Sequence, residues 1–208
     1  FQKENSDHII KRANVPLFKF ENYKIILIVL LCHFFLGFGT NIVMAIFSVY
    51  IKSELKVSHF SIGMLWALGS LLAVFAFKMA GQMVEIFGRR PVIIGSIISY
   101  IFATFCYIFL TNPIFLGLLW VFPIAPFFWL PGTAIISDIT KRAERGRGIA
   151  LFTSAGSLGT VAGGLLSGFL ADILPNMRYV FSFSFIFIII SLVFAFKMRE
   201  TKDMGSNN

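Results

Sequence analysis

Five stretches of this chain carry no Asp, Glu, Lys or Arg, and each is long enough to cross a lipid bilayer. They are Ile25 to Ile51, Val57 to Phe77, Pro91 to Ser137, Ile149 to Ala171 and Tyr179 to Phe196. A spanning helix needs roughly 20 apolar residues at about 1.5 Å rise each. The third stretch therefore holds two crossings, with a turn at Thr111-Asn112-Pro113, and the total is six. In lipid every backbone polar group must be satisfied within its own segment, so these runs are expected to be helices. A β-barrel would need short segments of alternating polarity, and these runs are continuous. With 57% of residues apolar and only 13% charged, a soluble domain of this length would lack the polar surface it needs. The expected fold is an all-α membrane bundle over residues 24–198. Residues 1–23 precede it as a polar lead-in or linker, and residues 199–208 follow as a tail.

The charges that remain are unevenly placed. Lys3, Lys11, Arg12, Lys19 and Lys24 precede the first span, and Lys78, Arg89 and Arg90 flank the loop after the second. Lys141, Arg142, Arg145 and Arg147 fill the loop after the fourth, and Lys197, Arg199 and Lys202 follow the last. Only Lys52, Lys56 and Arg178 fall on the opposite side. Basic residues stay in the cytoplasm, so both termini are expected there, in a multi-pass protein of the cell membrane. The net charge of +8 is thus a topology signal. Nucleic-acid binding is disfavoured, because the basic residues are split among four segments rather than gathered in one patch. Cys32 and Cys106 lie inside spans, which leaves no disulfide framework, metal site or cofactor to expect. The chain opens on Phe1 rather than Met, and its basic opening segment reads as a linker within a longer protein.

Between the second and third spans stands Gly81-Gln82-Met83-Val84-Glu85-Ile86-Phe87-Gly88-Arg89-Arg90. Gly81 removes a side chain where another helix could approach. Glu85 could pair with a base or sit against a helix N-terminus. Gly88 permits a tight reversal, and Pro91 suits the first turn of the next helix. This order resembles the loop signature of the major facilitator transporters, Gly-x-x-x-Asp-Arg-x-Gly-Arg-Arg, with Glu85 in place of the Asp and Ile86 in place of the first Arg. The resemblance implies twelve spans in two similar halves, of which this chain is one, and a loop that latches the halves through its acid and arginines. Asp138 to Gly148 and Arg199-Glu200-Thr201-Lys202 also resemble family segments at the matching places. The departures in the loop, and a fourth span without an Arg, suit the second half better than the first.

The fifth span carries Gly156, Gly159, Gly163, Gly164 and Gly168, so small-x-x-x-small pairs recur along it, a pattern that lets helix backbones pack closely. Gly159-Thr160-Val161-Ala162-Gly163-Gly164 resembles the family's fifth-helix Gly-Pro-x-x-Gly-Gly motif, with Thr160 where the proline belongs. In the first span His33, Thr40 and Asn41 recur at helical spacing. Polar side chains at membrane depth face a bundle interior or a wet cavity. The resemblance implies a substrate cavity lined by the first and fourth spans. His33, Thr40 and Asn41 are therefore candidate substrate residues, with Trp120 and Trp129 as stacking walls. The structural alternative is hydrogen bonding between helices by Thr40 and Asn41 and a packed His33.

The expected activity is transport of a small solute by alternating access, with the bilayer and a second six-helix half as partners. That half could come from the same gene or from a second copy, and a non-transporting scaffold is the alternative. An intramembrane serine protease finds little support. Ala155-Gly156-Ser157-Leu158-Gly159 lacks the first glycine of a nucleophile motif, and no histidine follows Ser157 to act as base. A mitochondrial-type carrier would need a threefold repeat, which is absent.

Overall fold

A computed structural model describes residues 22–201; residues 1–21 of the expected lead-in over 1–23, and 202–208 of the tail, lie outside the described residues. Among the described residues seven helices make six crossings. They are α1 (Tyr23–Ser53), α2 (His59–Phe87), α3 (Arg89–Phe109), α4 (Pro113–Val121), α5 (Pro126–Ile139), α6 (Arg145–Ile173) and α7 (Met177–Lys197). Among the described residues there is no strand. At 31 residues α1 extends about 46 Å, more than the hydrocarbon thickness of a bilayer. The fourth crossing is α4 and α5 together, Pro113–Ile139. Thr111 and Asn112 lie outside helices at the expected turn, and the Asn112 side chain accepts from the Ile114 N–H at 2.9 Å, capping α4.

The second crossing runs further than the sequence suggests. It continues through Phe87, so Gly81 and Glu85 lie within α2, and Gly88 alone separates α2 from α3. A one-residue link demands a backbone conformation that side chains resist. Gly88 supplies it with φ +94, a value glycine adopts at little cost.

α1 is the axis of the bundle and packs chiefly on α6 and α7. Two buried clusters surround it. One gathers Val29, Cys32 and Leu36 with Ile93, Ile135, Phe152 and Ile188; the other gathers Ile42, Phe47 and Tyr50 with Tyr107, Leu116 and Phe181. The α1–α6 contact is a meeting of backbones. A Cβ on Gly159 would strike the Phe34 carbonyl, one on Gly163 the Phe38 carbonyl, and one on Gly156 the His33 ring. From the opposite side, a Cβ on Gly37 would lie 2.7 Å from the Gly156 carbonyl oxygen. Gly164 has Asn41 beside it, whereas Gly168 and Gly81 face open space. Neither of those two glycines is used for packing among the described residues. Side chains then tie α1 to its neighbours. Ser167 donates to the Ile42 carbonyl at 2.7 Å, and Ser191 of α7 donates to the Cys32 carbonyl at 2.8 Å.

Overpacking a close helix contact costs about 1–3 kcal/mol. Gly159→Leu is expected to lower the thermal unfolding midpoint of the detergent-purified protein clearly, while Gly168→Leu leaves it nearly unchanged. Equal midpoints for the two variants would contradict this account of the seam.

Candidate functional site

At the end of the bundle that holds the α2–α3 link, five chain segments meet around two carboxylates. Glu200, just past α7, accepts the Arg89 N–H and the Arg90 N–H, one on each oxygen, both at 3.0 Å. These are orphan donors of the first turn of α3, where the helix dipole favours negative charge. A Cβ on Gly88 would lie 2.7 Å from a Glu200 oxygen, so a side chain there would push the carboxylate aside. Arg90 Nη2 donates in return to the Phe196 carbonyl at 2.7 Å, in the last turn of α7. The second carboxylate is Asp138, near the end of α5. It forms an ion pair with Arg89 at 3.2 Å and accepts the Thr201 hydroxyl at 3.1 Å. Arg145 Nε donates to the Ser137 carbonyl at 3.0 Å, and Asn22 reaches the Ile139 carbonyl at 3.3 Å. The ends of α1, α3, α5, α6 and α7 are thereby joined.

This corrects the expected role of Glu85. The acid on a helix N-terminus is Glu200, more than a hundred residues away in sequence, while Glu85 is exposed on α2. The tail motif carried the signal, but nothing local paired it with Gly88.

Of the five candidate cavity residues, the structure brings two together. Thr40 and Trp120 line a cavity of about 230 Å³ among α1, α2, α3 and the α4–α5 break. Trp120 stacks on Phe47 with ring centroids 4.0 Å apart and meets Trp66 edge-on at 5.1 Å. His33 turns away, toward α6. Its Nδ1 lies 2.9 Å from the Phe152 carbonyl, which can only accept, and its ring stacks on Phe152 at 4.1 Å. Asn41 donates to the Thr160 carbonyl at 2.6 Å. Trp129 meets Phe77 of α2, outside that cavity. His33 and Asn41 thus serve the α1–α6 seam, because the glycines of α6 bring its carbonyls within reach.

Sequence reasoning passed over another set of residues. Thr153, Ser157 and Thr160 are exposed on α6, and Gly164 and Gly168 continue the same face. Positions i, i+4, i+7, i+11 and i+15 make one stripe on a helix. The buried glycines of α6, Gly156, Gly159 and Gly163, sit on the adjacent face, roughly 100° around the helix, against α1. The signal was present as small polar residues at helical spacing, but it was hidden among the glycines.

A family model described as Major Facilitator Superfamily matches residues 29–208. The tetracycline resistance protein, class B, of Escherichia coli is 29% identical over 165 residues, which are 76% of this chain and 39% of that protein. Multidrug resistance protein 1 of Bacillus subtilis (strain 168) is 27% identical over 172 residues, 78% of this chain and 42% of that protein. The chain spans about two fifths of the length of the curated relatives it matches.

Removing a capping carboxylate costs about 1 kcal/mol. Glu200→Ala is expected to lower stability by that much, and Gly88→Ala by about 1–2 kcal/mol through the backbone conformation alone. Thermal unfolding of the purified variants checks both, and a neutral Glu200→Ala would remove the cap from the account.

Proposed function

The chain belongs to the Major Facilitator Superfamily, and from that premise we propose that it forms one six-helix half of a permease that moves a small organic solute by alternating access. In that mechanism two bundles rock around a site near the bilayer midplane. One observation carries the reading. α6 exposes Thr153, Ser157 and Thr160 at membrane depth, and hydroxyls there belong against another bundle or a water-filled path rather than against acyl chains. α2 supports it, since Ala76, Ala80 and Val84 are its only buried residues and most of its 29 residues are exposed.

The knot of Arg89, Asp138 and Glu200 fits the side of the bundle that must open and close. By the distribution of basic residues it faces the cytoplasm, with both termini. Five helix ends tied by these hydrogen bonds and the ion pair move as one body, which is what a rocking half requires. The fourth crossing carries no arginine, and the loop motif has Glu85 and Ile86 where the family pattern has Asp and Arg; both favour the second of the two halves. The two relatives are named for resistance to tetracycline and to multiple drugs, which makes export of a drug-like solute the form of transport to test.

Expression of the complete reading frame that encodes these residues, in a bacterium lacking its own efflux pumps, is expected to lower accumulation of a fluorescent drug. Ser157→Trp, which blocks the stripe without touching the α1 seam, is expected to restore accumulation at least tenfold toward the pump-free level while leaving the membrane-inserted amount unchanged. Full activity in Ser157→Trp would refute the proposed path along α6.

A further inference from the structure

The fourth crossing is interrupted at membrane depth, and the interruption is not chemically neutral. Residues 122–125 leave the helix between α4 and α5. Pro123 and Pro126 cause the break, since each lacks an N–H and each crowds the preceding turn. Their missing donors leave acceptors behind. Among the described residues the carbonyls of Trp120, Val121, Phe122 and Pro123 receive no backbone hydrogen bond, against two N–H groups, Ile124 and Ala125, that make none. Irregular backbone at this depth is tolerated only where it is buried in protein or lines a cavity. Here residues 119–125 line the 230 Å³ cavity described above.

The rest of the wall has a consistent chemistry. α2 approaches the break at Gly69, where a Cβ would lie 3.8 Å from the Val121 carbonyl oxygen and 4.0 Å from that of Trp120. The indoles of Trp66 and Trp120, set edge to face, and the phenols of Tyr100 and Tyr107 surround the space. The hydroxyls of Thr104, Tyr100 and Tyr107 make no hydrogen bond to another described residue. No Asp, Glu, Lys, Arg or His lines the cavity. The C-terminal end of a helix carries negative partial charge on its free carbonyls, and aromatic faces attract cations. Both preferences point to a positive ligand. The excess of acceptors over donors adds that it should carry N–H groups.

We infer that the cavity at the α4–α5 break binds a small primary ammonium compound, its N–H groups directed to the free carbonyls of Trp120 to Pro123 and its apolar body held among Trp66, Trp120 and Tyr107. The absence of a carboxylate argues against a metal ion, which would demand several hard charged oxygens. A quaternary ammonium would satisfy the rings but not the carbonyls. Binding at this cavity is independent of transport, so it can be measured in detergent whether or not the protein exports a drug.

The test is a tryptophan-fluorescence titration of the purified protein carrying Trp129→Phe, which leaves only Trp66 and Trp120, both on the cavity. Three probes share one phenylethyl body: phenethylammonium, its trimethylated quaternary analogue and neutral 2-phenylethanol. Phenethylammonium is expected to bind at least tenfold more tightly than either of the others. Gly69→Leu, which extends a side chain into the space, is expected to weaken it at least tenfold with an unchanged unfolding midpoint. If Gly69→Leu does not fold, Ser70→Leu, from the exposed side of the same wall, serves in its place. Equal affinity for the alcohol would overturn the charge preference, and equal affinity for the quaternary analogue would overturn the role of the carbonyls. No saturable signal with any probe would overturn the site.

Discussion

The closest contact in this bundle is between two backbones, where α1 and α6 cross with glycine on both sides. Lipid tails are as apolar as leucine side chains, so burial of apolar surface does little to join helices in a bilayer, and close van der Waals contact must do it instead. Gly37, Gly156, Gly159 and Gly163 bring the carbonyls of Phe34 and Phe38 to the surface of α6. Once the backbones are that close, polar side chains can reach across. Asn41 finds the Thr160 carbonyl, His33 the Phe152 carbonyl, and Ser167 the Ile42 carbonyl. Two of the side chains that sequence pattern would send into a substrate cavity, His33 and Asn41, are thus claimed by the seam.

The seam also decides which face of α6 is left over. With its buried glycines turned to α1, the helix leaves Thr153, Ser157 and Thr160 exposed along the flank of that seam. A packing requirement on one face therefore fixes the direction of the polar stripe beside it. The remaining helices are fixed at one end by electrostatics. Glu200 neutralises the start of α3, Arg90 caps the end of α7, and Asp138 holds Arg89 and Thr201 together. Each contact is modest alone, but they link helix ends that would otherwise be joined only by short loops.

The fourth crossing departs from this regular pattern. Pro113 and Pro126 each stand in the first turn of a helix, but Pro123 and Pro126 both fall where a helix continued from α4 would need an N–H. The break that results leaves backbone carbonyls without a backbone donor where residues 119–125 line the cavity. α2 lies against that irregular stretch at Gly69, where a Cβ would make ordinary van der Waals contact with Val121. A crossing built for strength alone would have no such interruption.

Much of this was legible in the sequence. Charge-free runs fix six crossings because a bilayer tolerates nothing but helices there, and the turn near Asn112 and the packing glycines of the fifth crossing follow from local chemistry. Charge placement gives an orientation by the same local logic. The tertiary structure alone decided which groups meet. No spacing rule pairs Glu200 with Gly88, because a carboxylate and the helix end it caps are brought together by the packing of α3 on α7. Nor could periodicity tell a cavity-facing Thr40 from a seam-facing Asn41 one residue away. Both are polar in an apolar helix, and which side each faces depends on where α6 lies. Local sequence sets what each segment must be, while long-range contacts set what each side chain touches.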